Sequence, residues 1–214
     1  LGQTFEFFVG LHQPSDGKHF ATACISINRL RTRMKPVGAR LLVDSGAFTE
    51  LERYGHYRHS VEDYSAQLYR LWQSGAAEIM AAVAQDYMCE PFMLAKTGLT
   101  VEDHQRLTIE RYDALLIALR EKFGGAIPFH VLPVIQGFQP EDYARHVTAY
   151  GDRLTPGMWV GVGSVCKRQG DPRLVAEALS AVLGVRPDLR LHGFGVKITS
   201  LKDARVRALL STAD

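Results

Sequence analysis

The sequence predicts an α/β fold, a (β/α)8 TIM barrel forming a single domain over residues 1–214, with its last helix missing from the chain. Three observations predict it. Short β-rich runs alternate with longer amphipathic stretches, the pattern of parallel strands joined by crossover helices. Several of the runs are apolar nearly throughout, as strands buried on both faces are. Polar residues or glycines stand just past the runs, where a barrel gathers its functional groups. An open doubly wound sheet is the alternative, since closure cannot be read from a sequence.

The expected strands are Phe5–Leu11, Ala23–Leu30, Arg40–Val43, Glu78–Gln85, Phe129–Ile135, Met158–Val162, Leu189–Phe194 and Leu209–Ala213. Helices are expected between them. Ser60-Val61-Glu62-Asp63 opens one that runs through Trp72 to Gly75, and Thr100-Val101-Glu102-Asp103 opens one that ends at Phe123 before Gly124-Gly125. Ser200-Leu201-Lys202-Asp203 has the same form. In each, a hydroxyl and a carboxylate three residues apart can satisfy free amides at a helix start. Asp171-Pro172 and Gln139-Pro140 are two further starts, because proline suits the first turn. These helices should stop near Gly184 and Tyr150.

Composition is that of a globular protein, with 46% hydrophobic and 22% charged residues and a net charge of +2. No apolar run approaches the ~20 residues that span a bilayer. No signal peptide is recognisable, so the expected location is cytoplasmic and no membrane partner is expected. Cys24, Cys89 and Cys166 form no C-x-x-C pair, which argues against a disulfide framework or a zinc knuckle. Cys24 reads as a core residue. The histidines carry no HExxH or paired-acid pattern, so no metal ligand is assigned. Two basic clusters stand out: Arg29, Arg31, Arg33 and Lys35, and Lys167 and Arg168 with Lys197, Lys202, Arg205 and Arg207.

Asp44, Asp86, Gln136, Gly163, Gly195 and Asp214 all fall just past apolar strands. A carboxylate there lies in a cleft with low-dielectric walls, where its ionisation can be tuned. Two carboxylates beside one sugar carbon suit glycosyl transfer: one attacks the anomeric carbon, the other moves the proton of the leaving and entering groups. Strand-end glycines let a flat base lie close to the backbone.

These residues form motifs. Asp44-Ser45-Gly46-Ala47-Phe48 resembles the D-S-G-G-F of tRNA-guanine transglycosylases, with Ala for the second Gly. Val134-Ile135-Gln136-Gly137 resembles their I-V-Q-G, and Leu191-His192-Gly193-Phe194-Gly195 their L-M-G-V-G. Gly161-Val162-Gly163 and Asn28-Arg29-Leu30 fall where that family has a Gly-rich strand end and an Asn after the second strand. The whole chain is more similar to the bacterial and phage branch that places 7-deazaguanine bases in DNA. Phe7-Phe8-Val9-Gly10-Leu11, Ile25-Ser26-Ile27-Asn28-Arg29-Leu30 and Gln85-Asp86-Tyr87-Met88-Cys89-Glu90 carry that likeness.

The resemblance implies a transglycosylase that replaces guanine with a preQ0-like 7-deazaguanine in DNA, with tRNA as the alternative polymer. It implies Asp214 as nucleophile and Asp44 as acid/base. It implies Asp86 and Gln136 as readers of the base edge, with Asn28, Ser45, Gly137, Gly163, His192 and Gly193 around the base, and Phe48 or Tyr87 stacked on it. Arg29, Lys167, Arg168 and Lys197 would meet phosphates. The tRNA enzymes carry a zinc-binding C-x-C-x-x-C and a His beyond strand eight. Neither is in this chain, so no cofactor is expected. A homodimer or partner modification proteins would fit the resemblance. The competing readings are a non-catalytic subunit that binds deazaguanine or nucleic acid, and a barrel enzyme acting on a free nucleoside.

Overall fold

The computed structural model describes residues 5–166 and 171–214. Lys167 and Arg168, expected to contact phosphate, lie outside the described residues. The strands are β1 (Glu6–Phe7), β2 (Val9–Gly10), β3 (Thr22–Ser26), β4 (Arg40–Asp44), β5 (Glu78–Val83), β6 (His130–Leu132), β7 (Val134–Ile135), β8 (Trp159–Val162), β9 (Arg190–Gly193) and β10 (Thr212–Ala213). They form two five-stranded sheets, ordered β1-β10-β9-β8-β7 and β2-β3-β4-β5-β6. Every pairing is parallel. The alternation of strand and helix therefore has the predicted consequence, an α/β fold with parallel sheets.

Two expected strands are each divided between the sheets. The first splits at Phe8, whose amide bonds to Ala213 O at 2.8 Å while its neighbours on the C-terminal side join β3. The fifth splits at Pro133, which has no amide to donate to a ladder. Its carbonyl accepts from Gly161 N at 2.8 Å, so the chain passes there from β5 to β8. Each sheet thus begins and ends on half of a strand whose other half lies in the other sheet.

Other expected strands are shorter than predicted. The second ends at Ser26, whose side chain accepts from Asn28 N and starts helix α1 (Ile27–Leu30). Asn28 and Arg29 therefore sit on a helical turn. The eighth keeps only Thr212–Ala213, because Leu209 belongs to a helix.

The helices that follow are α2 (Ala47–Tyr54), α3 (Val61–Gln73), α4 (Pro91–Thr97), α5 (Val101–Phe123), α6 (Pro140–Tyr150), α7 (Pro172–Val185), α8 (Ile198–Leu201) and α9 (Ala204–Leu209). Both capping boxes form, Ser60 with Asp63 and Thr100 with Asp103. Such a cap contributes about 1 kcal/mol to a helix start. The box expected at Ser200 does not form. Ser200 lies inside α8, and Asp203 instead caps α9 by accepting from Arg205 N at 2.8 Å. Helices α2 and α4 carry no sequence-level capping box, but each is closed by a left-handed glycine, Gly55 (φ 72°) and Gly98 (φ 71°).

The main core lies between the sheets and the helices and includes Leu41, Val43, Leu68, Leu71, Tyr143, Val160, Leu179 and Leu191. A second buried cluster draws on both sheets: Phe8, Cys24, Leu42, Ala81, Val83, Leu132 and Val134. No helix among the described residues is long and apolar enough to cross a membrane.

Candidate active site

Following the strands to their C-terminal ends leads into one cavity of ≈ 660 Å³. Its wall includes Asp44 from the end of β4, Asp86 after β5, Gln136 after β7, Gly163 after β8, Gly195 after β9 and Asp214 after β10. The parallel order makes this convergence. Strands that all point one way deliver their trailing residues to the same face. Phe48, Val83, Met88 and Phe194 supply apolar surface to the same wall.

Asp44 is oriented by the turn behind it. Its Oδ2 accepts from Gly46 N at 3.0 Å. Gly46 has φ 80°, and a Cβ there would lie 3.2 Å from Asn28 Cγ, so only glycine makes this turn without strain. Burial pushes the Asp44 carboxyl up to about 6, and the charge of Asp214 adds to the rise against the hydrogen bond from Gly46.

Asp86 is held from three sides. Gln136 Nε2 donates to its Oδ2, and Ser45 Oγ donates to its Oδ1 at 3.4 Å. The Tyr57 hydroxyl donates to its carbonyl at 2.8 Å. Burial, followed by the charge of Asp44, pushes the Asp86 carboxyl up to about 7. Gln136 is itself fixed along its backbone. Its N–H donates to His146 Nδ1 at 2.8 Å and its carbonyl accepts from Gln105 Nε2 at 2.8 Å. Burial holds His146 down at about 3, so it stays neutral and can accept.

Gly163 has a steric reason. A Cβ there would lie 2.6 Å from Gln136 Cδ. The next residue, Ser164, adopts φ 57°, a left-handed conformation that is uncommon outside glycine. Its hydroxyl accepts from Cys89 N at 2.9 Å and stands 2.8 Å from Gln136 Oε1 and 2.9 Å from Glu90 Oε2. The chain of contacts from Asp86 through Gln136 and Ser164 to buried Glu90 presets a polar edge, whose first three members line one side of the cavity.

Asp214 has its own chain of partners. Its Oδ1 accepts from Gly195 N at 3.0 Å and lies 3.2 Å from His192 Nε2. His192 Nδ1 is 2.9 Å from Thr212 Oγ1, which accepts from Trp159 Nε1 at 2.9 Å. A carboxylate can only accept, so His192 Nε2–H is the donor to Asp214, and Thr212 links the far side of the ring to the indole. The Cys24 thiol lies against the same carboxylate; burial, then the charges of Asp214 and Asp44, raise it well above its ordinary range.

The expected site residues separate into groups. Asp44, Asp86, Gln136, Gly163, Phe48, Lys197 and Asp214 line the cavity. Ser45 and His192 are buried behind it and act on Asp86 and Asp214. Asn28 and Arg29 line a second cavity next to the first. Three residues are not on the wall. The Tyr87 ring packs edge-on against Tyr57 and His104, and Gly137 packs against Asp142 and Tyr143. A Cβ on Gly193 would lie 2.6 Å from Val196 Cγ2; Gly195 is the glycine of that motif on the wall. Sequence reasoning placed Cys24 in the core, where it packs with Phe8 and Leu42; it also lines both cavities. Cys166, which the sequence places near the site without a role, is on the wall, and Met88, Ser164 and Phe194 were not singled out. Phe194 stood inside a quoted motif and Ser164 directly after one, so adjacency was the available signal.

Among the described residues no cluster of three or more His, Cys, Asp or Glu is placed to hold a metal ion. All three cysteines are thiols. Chemically, the arrangement offers a slot for a flat heterocycle, a fixed polar edge to read it, and two carboxylates at its mouth.

Residues 4–214 match the family described as DpdA, DeoxyPurine in DNA protein A. The chain belongs to the DpdA family. This is the 7-deazaguanine DNA-modification transglycosylase family, so the resemblance carried by the motifs at the first, second and fourth strands holds for the DNA branch. No curated protein matches the chain. Among solved structures, the chain is similar to one described as a candidate deoxyribose-phosphate aldolase from Coccidioides immitis. The two share 14% identity with a TM-score of 0.49, over 100% of this chain and 81% of the other.

Proposed function

We propose that this chain exchanges guanine in DNA for a 7-deazaguanine base through a covalent Asp214–sugar intermediate, on a scaffold in which the two sheets are halves of one (β/α)8 barrel. The observation that carries the reading is the placement of Asp44 and Asp214. Both line the first cavity and also the second cavity beside it, so a sugar lying between the cavities meets both carboxyl groups. Membership of the DpdA family supplies DNA as the polymer.

The target nucleotide must leave the helical stack for its sugar to reach this point. The base enters the first cavity, its polar edge on Asp86 and Gln136 and its face against Phe48. Asp214 attacks C1′ as the glycosidic bond to guanine breaks, and protonated Asp44 gives its proton to the departing base. A carboxyl raised to about 6 is suited to holding that proton near neutrality. The incoming base then returns a proton to Asp44 as its ring nitrogen attacks C1′, and Asp214 leaves. His192 and Gly195 hold the attacking carboxylate in place throughout.

The deciding experiment offers radiolabelled guanine and preQ0 separately, with duplex DNA and with tRNA. Label entering DNA is the expected result. Label entering tRNA alone would assign the other polymer. Binding of preQ0 with no label in either polymer would make the chain a base-binding subunit.

A further inference from the structure

The second cavity, of ≈ 500 Å³, shares Cys24, Asp44 and Asp214 with the first. Its outer wall has a different character. His12, Arg29 and Arg53 stand there with Ser26, Asn28 and Thr49. Arg29 also lines a shallow groove with Pro14, Thr32, Arg33, Met34 and Lys35. The cavity and the groove therefore share Arg29.

The cations along this path differ from their neighbours in sequence. Arg31 is consumed by Asn28 Oδ1, which it contacts at 3.1 and 3.0 Å, and Arg58 is paired with buried Glu50 at 2.8 Å. Those two arginines tie Asn28 and Glu50 into the turn behind Asp44. Among the described residues, neither Arg29 nor Arg53 has a hydrogen-bond or ion-pair partner, although both line a cavity that holds two carboxylates. Arg33 is braced by the carbonyls of Lys35 and Pro36 at 2.7 and 3.0 Å, which neutralise none of its charge. Met34 beside it is 67% exposed.

Charge explains why such a path is needed. A nucleotide whose C1′ lies between Asp44 and Asp214 carries phosphates on either side of its sugar. Those phosphates would be repelled by the Asp214 carboxylate, and by Asp44 once it has given up its proton, unless cations stand just outside them. We propose that the second cavity and the groove form one continuous track for the phosphodiester backbone of the target DNA strand. Arg29 and Arg53 grip the phosphates next to the extruded nucleotide, and Arg33 and Lys35 carry the strand onward. The inference rests on the DNA-exchange reading and adds the direction in which the polymer leaves the site.

The test compares the wild-type chain with the Arg29→Gln/Arg53→Gln double variant and with Arg190→Gln, a cation on the opposite end of the strands. A labelled single-stranded oligodeoxynucleotide is titrated by fluorescence anisotropy across a salt series, and preQ0 binding and base exchange are measured on the same preparations. Each phosphate contact to a single strand contributes about 0.7 to the slope of log K against log salt. The double variant should therefore lose about 1.4 from that slope and about tenfold in affinity near physiological salt. Arg190→Gln should match the wild type, and preQ0 binding should be unchanged in all three. A double variant that keeps the wild-type slope while the wild type exchanges base overturns the track and leaves the exchange reading standing. A reduced slope in a chain that exchanges nothing supports the track and removes the exchange reading. A wild type that neither binds the strand nor exchanges base overturns both.

Discussion

At the scale of single residues, two carboxyls with raised ionisation carry opposite duties. Asp44 must hold a proton to release guanine, so single-turnover base release should fall as pH rises through about 6. Asp86 must be a carboxylate to accept from the donors of a guanine-like edge, so base affinity should fall as pH drops through about 7. Because the two charges act on each other, the limbs of the kcat/KM profile belong to the pair. Asp86→Asn separates them: it should remove the acidic limb from the KM for base and leave the alkaline limb of base release. A KM that keeps its wild-type pH dependence in that variant would take Asp86 out of base recognition. Asp44→Asn should slow exchange by about 10²-fold or more with the fold intact. Asp214→Asn should form no protein–DNA adduct resistant to denaturing electrophoresis, and an adduct in that variant would place the nucleophile elsewhere.

At the scale of elements, the backbone conformation after each strand decides what the strand can present. Gly163 stands tight against Gln136, so Gly163→Ala should displace the amide from Asp86. That leaves a buried polar group unsatisfied and should weaken preQ0 binding about tenfold or more. Gly184 in α7 has nothing within 4 Å, and Gly184→Ala should leave binding unchanged and raise stability by about 0.5–1 kcal/mol. Equal binding by the two variants, measured calorimetrically, would mean that Gly163 has no such role. The strand–helix alternation and both long capping boxes were legible because periodicity and caps are local. The division of the first strand at Phe8 and the fifth at Pro133 was not, because it depends on which neighbour each half pairs with. Helices α2 and α4 were missed for a different reason. Each is a turn or two long, too short for a period, and only the glycines after them marked their ends. Among site residues, strand-end carboxylates could be found from position alone. The fate of Tyr87 and Gly193 could not, since packing against Tyr57 or Val196 joins distant or folded-back segments.

At the scale of the whole molecule, the site has an energetic signature that can be read without substrate. A carboxyl raised in the folded state binds its proton more tightly there than in the unfolded chain. The stability contributed by Asp86 is therefore fully present below its ordinary value of 3.8 and is lost as pH rises to about 7. Asp44 behaves likewise up to about 6. Buried His146 acts in the opposite sense, because its folded value of about 3 means that stability is lost as pH falls below 6.5. The wild-type melting curve is thus flattened by opposing groups, and the informative quantity is a difference between variants. Asn at position 86 is neutral at every pH. The melting temperature of Asp86→Asn relative to wild type should therefore be constant below pH 4, climb between pH 4 and 7, and level off above 7, with a total rise on the order of 10 °C. Thermal melts in buffers from pH 3.5 to 8.5 would measure it. A flat difference would mean that Asp86 ionises as an ordinary carboxylate, and the preset polar edge would then be charged well below neutrality. A rise that disappears when saturating preQ0 is present would show the bound base compensating the buried charge, which ties the stability penalty to the recognition it serves.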